Sequence, residues 1–385
     1  MRLFDTLVAT RIGLNLPESA ILADLGTGPH DQIRRLVAAT RATEIDDIAI
    51  SGCVTAGSVI VACALVGSAQ TDGDLLSAII AGYEAMVGFA TAIDGAHILY
   101  RGIWPTLAAA PIGAAMVGAY LRGLDEGSSS SAMVFAVGQT QPILPDGAPR
   151  WLTLGNAAVQ GFAAAEAGSN VLNPDGLVDG WSRNYGISID AGQLCSGSTA
   201  HVFNVDVKNF PTARQALSAI EAFQRLYAQQ AIATGEPISI ALPAAYRKMV
   251  GSTARPVMRI PSMLSATYQM ALAAFAPEHL YDVSRFRLPW TADIARFLEN
   301  VTVLEDEALQ EHFPARWGGR VTFGGRSAEI LDPAGSAAQP FGWRELEAKA
   351  RRLAAANNVA DGWISDLLEM AREDAGAKAL LAMVR

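Results

Sequence analysis

At 385 residues, 51% hydrophobic and 17% charged, the chain is long enough for two or three domains and for a core that needs no disulfides. Ordinary soluble domains carry about 25% charged residues, so the low value points to extensive burial, including a subunit interface. The formal net charge of -9, without any Lys/Arg block, makes the chain a poor candidate for nucleic-acid binding and leaves it without the polybasic signal for anionic lipid.

The chain opens Met1-Arg2-Leu3-Phe4-Asp5, meets charge at once and has no apolar h-region, which predicts a cytoplasmic protein. Three cysteines, Cys53, Cys63 and Cys195, match no disulfide or zinc spacing and read as small buried hydrophobes. Two uncharged segments, 49–70 and 102–121, are each about the ~20 residues a bilayer needs. Both are built from Ala, Gly, Ser, Thr and Val, and are interrupted by Gly52, Gly57 and Gly67 or by Pro105, Pro111 and Gly113. They read as core helices crossing closely through small side chains, not as spans.

Residues 72–93 carry Leu75, Leu76, Ile79, Ile80, Tyr83, Met86, Val87 and Ala90 at helical spacing, with Thr71 or Asp72 as the cap. Further Ala-rich helices are predicted near 105–123, 128–138 and 154–167, with the Gly127-to-Ser131 stretch as a turn between two of them. Strand signals are few before about residue 198, so the first half reads as a helical bundle. The character changes at His201–Val207, which is rich in β-branched and aromatic residues. Thr212-Ala213-Arg214-Gln215 fits a capping box for a helix to about Gln230. Strands are predicted at 237–242, 301–304 and 320–323, and helix again from Trp343 to the end. The fold class that follows is mainly α: a large all-α domain (1–206 with 337–385) and an inserted, smaller α+β lid (207–336).

Several motifs are missing. No GxGxxG follows a strand, no phosphate-binding P-loop occurs, no GxSxG elbow marks a nucleophilic serine, and the five histidines are scattered. Asp46 and Asp47 are adjacent, and neighbours on a helix do not face one another, so the pair predicts no metal site.

Other landmarks fall in one order. Arg41-Ala42-Thr43-Glu44-Ile45-Asp46-Asp47 is followed by Cys53-Val54-Thr55-Ala56-Gly57-Ser58-Val59, then by Gly82-Tyr83-Glu84. Next come Arg101-Gly102-Ile103-Trp104-Pro105-Thr106, Leu121-Arg122-Gly123-Leu124-Asp125, the stretch Arg150 to Ala158, and Val207-Lys208-Asn209-Phe210-Pro211. In order and spacing these resemble the MmgE/PrpD family, which includes 2-methylcitrate dehydratase, cis-aconitate decarboxylase and iminodisuccinate epimerase-like proteins. The resemblance implies a homodimer that works without a cofactor on a small molecule bearing a carboxylate or carbonyl.

Carried over by position, the family's acidic residue falls on Glu44 and its two lysines on Arg150 and Lys208. Its tyrosine falls on Tyr268, within Ser265-Ala266-Thr267-Tyr268. Its two histidines fall on Val54 or Thr55 and on Trp104, so both are replaced. Histidine is the usual general acid–base near neutrality. Its loss removes the expected proton shuttle, and Trp104 suggests a substrate larger or less polar than a tricarboxylate. The reading assigns catalysis to Lys208, Tyr268, Glu44 and Asp47, with Tyr268 proton-active if neighbouring cations lower its pKa. Arg150, Arg101, Trp104 and Thr55 bind substrate. Lys208 stands four residues before the expected helix cap, where a carboxylate meets free N–H groups. The expected activity is a cofactor-independent lyase or isomerase acting beside a carboxylate or carbonyl, by dehydration, decarboxylation, epimerisation or double-bond isomerisation. The alternatives are a catalytically inactive binding or structural paralogue and a member recruited to a biosynthetic cyclisation.

Overall fold

A computed structural model describes residues 1–22, 26–144, 148–167, 174–195, 197, 199–232 and 235–384. The chain is mainly α-helical and divides into two compact units, Met1–Asp206 with Gly362–Arg385, and Val207–Asp361. Arg385 itself, the last residue of the predicted C-terminal helix, lies outside the described residues.

The first unit runs through α1 (Arg2–Leu14), α2 (Pro17–Ala20), α3 (Pro29–Ala42), α4 (Gly57–Thr71), α5 (Leu75–Ala92), α6 (Gly95–Ile98), α7 (Pro105–Leu121), α8 (Glu126–Gly138), α9 (Arg150–Glu166) and α10 (Pro174–Tyr185). Its described backbone contains no strand, only the isolated bridges Ile48–Asp206 and Ala49–Val54. His201–Val207, despite its composition, forms a short 3-10 turn at His201–Phe203 and one of those bridges.

At the centre lies α7, packed against α4, α5, α8 and α9 and buried almost all round. Small residues make this possible. A Cβ placed on Gly161 of α9 would sit 2.0 Å from the Pro111 carbonyl oxygen, so the two backbones touch where a side chain would stand. The segments 49–70 and 102–121 therefore give α4 and α7, both shorter than a span. Among the described residues α5 alone is long and apolar enough to cross a membrane by length and composition, and it packs much of its length into the helical core.

Three local expectations are corrected. The cap of α5 is Asp74, whose carboxylate accepts from the N–H groups of Leu76 and Ser77, while Asp72 takes the left-handed conformation that ends α4. The Gly127–Ser131 stretch is helical, because the Asp125 side chain accepts from the Ser128 N–H and starts α8 ahead of it. The helix after Thr212 begins at Arg214 with Ala213 as N-cap and no side-chain cap; the Thr212 hydroxyl donates instead to the Met263 carbonyl at 2.8 Å.

The second unit carries α11 (Arg214–Tyr227), β1 (Ile238–Leu242), α12 (Ala244–Val250), α13 (Arg259–Leu264), α14 (Ala266–Phe275), α15 (Ala292–Glu299), β2 (Val301–Glu305), α16 (Glu307–Gln310), β3 (Gly319–Phe323), β4 (Arg326–Ile330) and α17 (Trp343–Ala356). The sheet order is β2-β1-β3-β4, with β1 parallel to β2 and the other pairs antiparallel. Gly324 and Gly325, both at positive φ, close the tight hairpin between β3 and β4. The hydrophobic face of α11 packs on β3 and β4, with Phe223 against Phe297 and Phe323.

Residues 337–361, assigned from sequence to the helical domain, pack with this second unit. The physical reason is Asn357, whose side chain accepts from the Val283 N–H at 2.8 Å and donates to the Tyr281 carbonyl at 2.9 Å. After α17 the chain passes through α18 (Asp361–Arg372) to α19 (Ala377–Val384), which packs on α4 in the first unit.

Candidate active site

In the first unit the loop after α3 carries a buried ion triad. Arg41, at the end of α3, reaches Glu44 at 2.9 Å and Asp46 at 3.3 Å. Burial works against the guanidinium charge, but the carboxylates of Asp46 and Glu44 more than offset it, so Arg41 is held more firmly protonated than a free arginine. Glu44 itself stands at φ +57°, the left-handed region that costs a side-chain-bearing residue roughly 1–2 kcal/mol. The ion pair with Arg41 helps hold it there.

Trp104 is the N-cap of α7, and its backbone N–H donates to the Pro142 carbonyl at 2.8 Å. Its ring is flanked by two guanidinium groups, Arg41 at 5.7 Å and Arg150 at 5.5 Å from the ring centroid. Both fall within the ~6 Å of a cation–π contact. Arg150 is the first residue of α9 and is exposed, and among the described residues it has no ion pair. Glu44, Trp104 and Arg150 are thus joined in one row through Arg41. Two residues beyond Trp104, the Thr106 hydroxyl accepts from the Thr55 N–H at 3.3 Å. The Thr55 hydroxyl is buried and finds no hydrogen-bond partner among the described residues.

Asp47 faces another way. One carboxylate oxygen accepts from the Gly57 N–H at 2.8 Å and the other from the Tyr83 hydroxyl at 2.5 Å. Burial raises its pKa, against the lowering effect of the Tyr83 and Gly57 hydrogen bonds. The carboxylate pins the start of α4 to α5. Asp46 and Asp47 take separate partners, and the described residues contain no group of three or more His, Cys, Asp or Glu able to hold a metal ion. Arg101 is exposed and donates to the Gly186 carbonyl at 2.9 Å, which ties it to the exit of α10.

Lys208 and Tyr268 belong to the second unit. Lys208 is buried in the segment leading to α11. Tyr268 lies in the first turn of α14, and its hydroxyl donates to the Pro289 carbonyl at 2.7 Å. Burial pushes this hydroxyl up to about 12, outweighing the opposite influence of Arg285 and Arg255. The expectation that nearby cations lower its pKa is therefore corrected: Arg285 and Arg255, not the cations expected from sequence, act in that direction, and desolvation is the larger effect. Arg285 is also buried, at φ +39°, and donates to Gln269 at 2.7 Å and Ser262 at 3.0 Å. Burial lowers its pKa to about 10, which leaves it charged at neutral pH.

Sequence reasoning missed Arg41 and Arg285. A cation in the last turn of a helix ordinarily answers the helix dipole. The three-residue spacing to Glu44 was the one signal that Arg41 turns inward.

The profile of the MmgE/PrpD C-terminal domain matches residues 210–361, nearly the whole of the second unit. No curated protein matches the chain.

Proposed function

We propose that this chain, whose residues 210–361 match the C-terminal domain of the MmgE/PrpD family of dehydratase-type lyases, is a lyase or isomerase acting beside the carboxylate of an organic acid. The observation that carries the reading is the row Glu44–Arg41–Trp104–Arg150. Arg150 presents an exposed guanidinium, already oriented on the Trp104 ring, that can take a substrate carboxylate through two parallel N–H donors. A proton leaves the carbon next to that carboxylate, and the electron pair moves onto the carboxylate oxygens, where Arg150 holds the charge. Either the hydroxyl on the next carbon then departs, taking up the abstracted proton to leave as water, or the proton returns on another face or at another position. Glu44 is the proposed proton acceptor and the Thr55 hydroxyl the proposed orienting donor. The Trp104 surface favours a substrate with an apolar portion. Lys208 joins the reading on the resemblance alone, as do the homodimer, the cytoplasmic setting and the absence of a cofactor.

A second reading, a binding protein without turnover, has one observation in its favour. Asp47 and Tyr268, two of the four catalytic candidates, are both engaged by the fold.

The two are separated by incubating the protein in D2O with a panel of 2-hydroxy and 2,3-unsaturated di- and tricarboxylates, followed by NMR. Deuterium incorporation next to a carboxylate, or conversion of any member, is expected, with Glu44→Gln abolishing it. Absence of both across the panel, together with binding that Arg150→Ala leaves intact, overturns the lyase reading and the Arg150 site alike.

A further inference from the structure

A cavity of about 590 Å³ lies within the first unit among α5, α7, α8, α10 and the segment after α10. Its walls include Phe89, Ile112, Met116, Met133, Val134 and Val137. This is the size and character of a small-molecule pocket, apolar with few polar groups. Glu84 supplies the only charged side chain on its described lining. One oxygen of that carboxylate accepts from the His201 N–H at 2.5 Å. His201 is 8% exposed, and its ring Nε2 is buried with no hydrogen-bond partner among the described residues. That nitrogen lies beside Gly88 on α5, one turn on from Glu84, where the backbone carbonyl of the cavity residue Leu194 also arrives.

An apolar chamber whose one charged lining group is a carboxylate asks for a ligand of the same polarity pattern. We propose that this cavity is a binding site for a neutral amphiphile, a hydrocarbon body of medium length ending in a hydroxyl or N–H donor. The body fills the Met116–Met133 region, and the donor is held by Glu84. A carboxylate-ended ligand is refused, because its charge would meet that of Glu84 in an apolar surround. The site stands apart from the Trp104 row and does not depend on the lyase reading.

N-phenyl-1-naphthylamine, neutral, apolar and bearing one N–H, is a suitable probe. Its fluorescence should rise saturably with the wild-type protein. Decan-1-ol should displace it and decanoate should not, whereas with Glu84→Gln decanoate should compete as well. Met116→Trp and Val134→Trp, which fill the cavity from α7 and from α8, should each weaken the probe at least tenfold. Arg150→Ala should leave probe binding unchanged even where it ends turnover. Decan-1-ol should also slow the reaction of exposed Cys195, at the cavity, with a thiol reagent, while buried Cys53 and Cys63 serve as the silent background. The proposal is overturned if the wild-type protein does not bind the probe, if decanoate competes as well as decan-1-ol, or if both tryptophan variants bind normally. It is equally overturned if either variant lowers the oligomeric mass in sedimentation, since the cavity would then be filled by a second copy of the chain.

Discussion

The Tyr83 hydroxyl and the Gly57 N–H divide the two oxygens of Asp47 between them, at 2.5 and 2.8 Å, so a carboxylate that reads as catalytic in sequence is a fastening between α4 and α5. Removing it with Asp47→Ala strands two buried donors, at roughly 1–3 kcal/mol each. A loss of about 2–4 kcal/mol in urea unfolding is expected, with Asp47→Asn milder because its amide still accepts from Gly57.

The pH dependence has a definite sign. Burial raises the Asp47 pKa in the folded state, so the folded protein binds the proton more tightly than the unfolded chain. Its contribution is most favourable below the ordinary aspartate value of about 4 and is lost as pH rises through the raised folded value. Comparing urea midpoints across pH 4 to 7 should show that decline in the wild-type protein and a shallower one in Asp47→Asn.

At Glu44 the backbone and the charge can be separated. Glu44→Ala and Glu44→Gly both remove the partner of Arg41, but only alanine retains a Cβ at φ +57°. The glycine variant should therefore be the more stable of the two by about 1 kcal/mol, and both should fall below the parent. Equal stability of the two variants in thermal or urea unfolding would remove the claim of backbone strain.

Arg150 and Trp104 should act as a unit. Arg150→Lys keeps the charge and loses the planar, stacked fork, so KM for an acidic substrate should rise at least about tenfold with a smaller change in kcat. Trp104→Ala should weaken the same substrate, and the double variant should lose less than the two single losses combined. Simple additivity would mean that the ring does not orient the guanidinium.

Tyr268→Phe removes a hydroxyl that donates to Pro289, at about 1 kcal/mol. With the folded hydroxyl pushed up to about 12, its stabilising contribution is intact below pH ~10 and lost as pH rises from there through the folded value. Any turnover measured between pH 6 and 9 should keep its profile in the variant. A limb near neutrality that disappears with the hydroxyl would restore Tyr268 as a proton carrier.

Much of the helical architecture is legible because its signal is periodic. The apolar spacing from Leu75 to Ala90 marks α5, and the alternation in Pro237–Leu242 marks β1. Helix starts were harder, since several capping residues stand near one another: Asp72 and Asp74 both suit α5, and only the local backbone decides between them. The strand β4, Arg326-Ser327-Ala328-Glu329-Ile330, escaped notice because it is an edge strand with most of its residues exposed, paired through the Gly324-Gly325 turn rather than marked by its own hydrophobicity. For the candidate residues carried by resemblance, burial decides what each can do. Nothing in the sequence tells that Asp47 is enclosed, that Arg150 is open, or that the carboxylate of Glu84 faces an apolar chamber.

The ion triad at the end of α3 also sets the electrostatic climate around Trp104. Two carboxylates share the one guanidinium of Arg41. The Arg41 guanidinium is committed to those carboxylates, whereas that of Arg150 beside the same ring is left open to a ligand. Of the two arginines on the indole, Arg150 alone can meet an anion without first breaking an ion pair among the described residues, so replacing it takes away the ring's uncommitted positive charge.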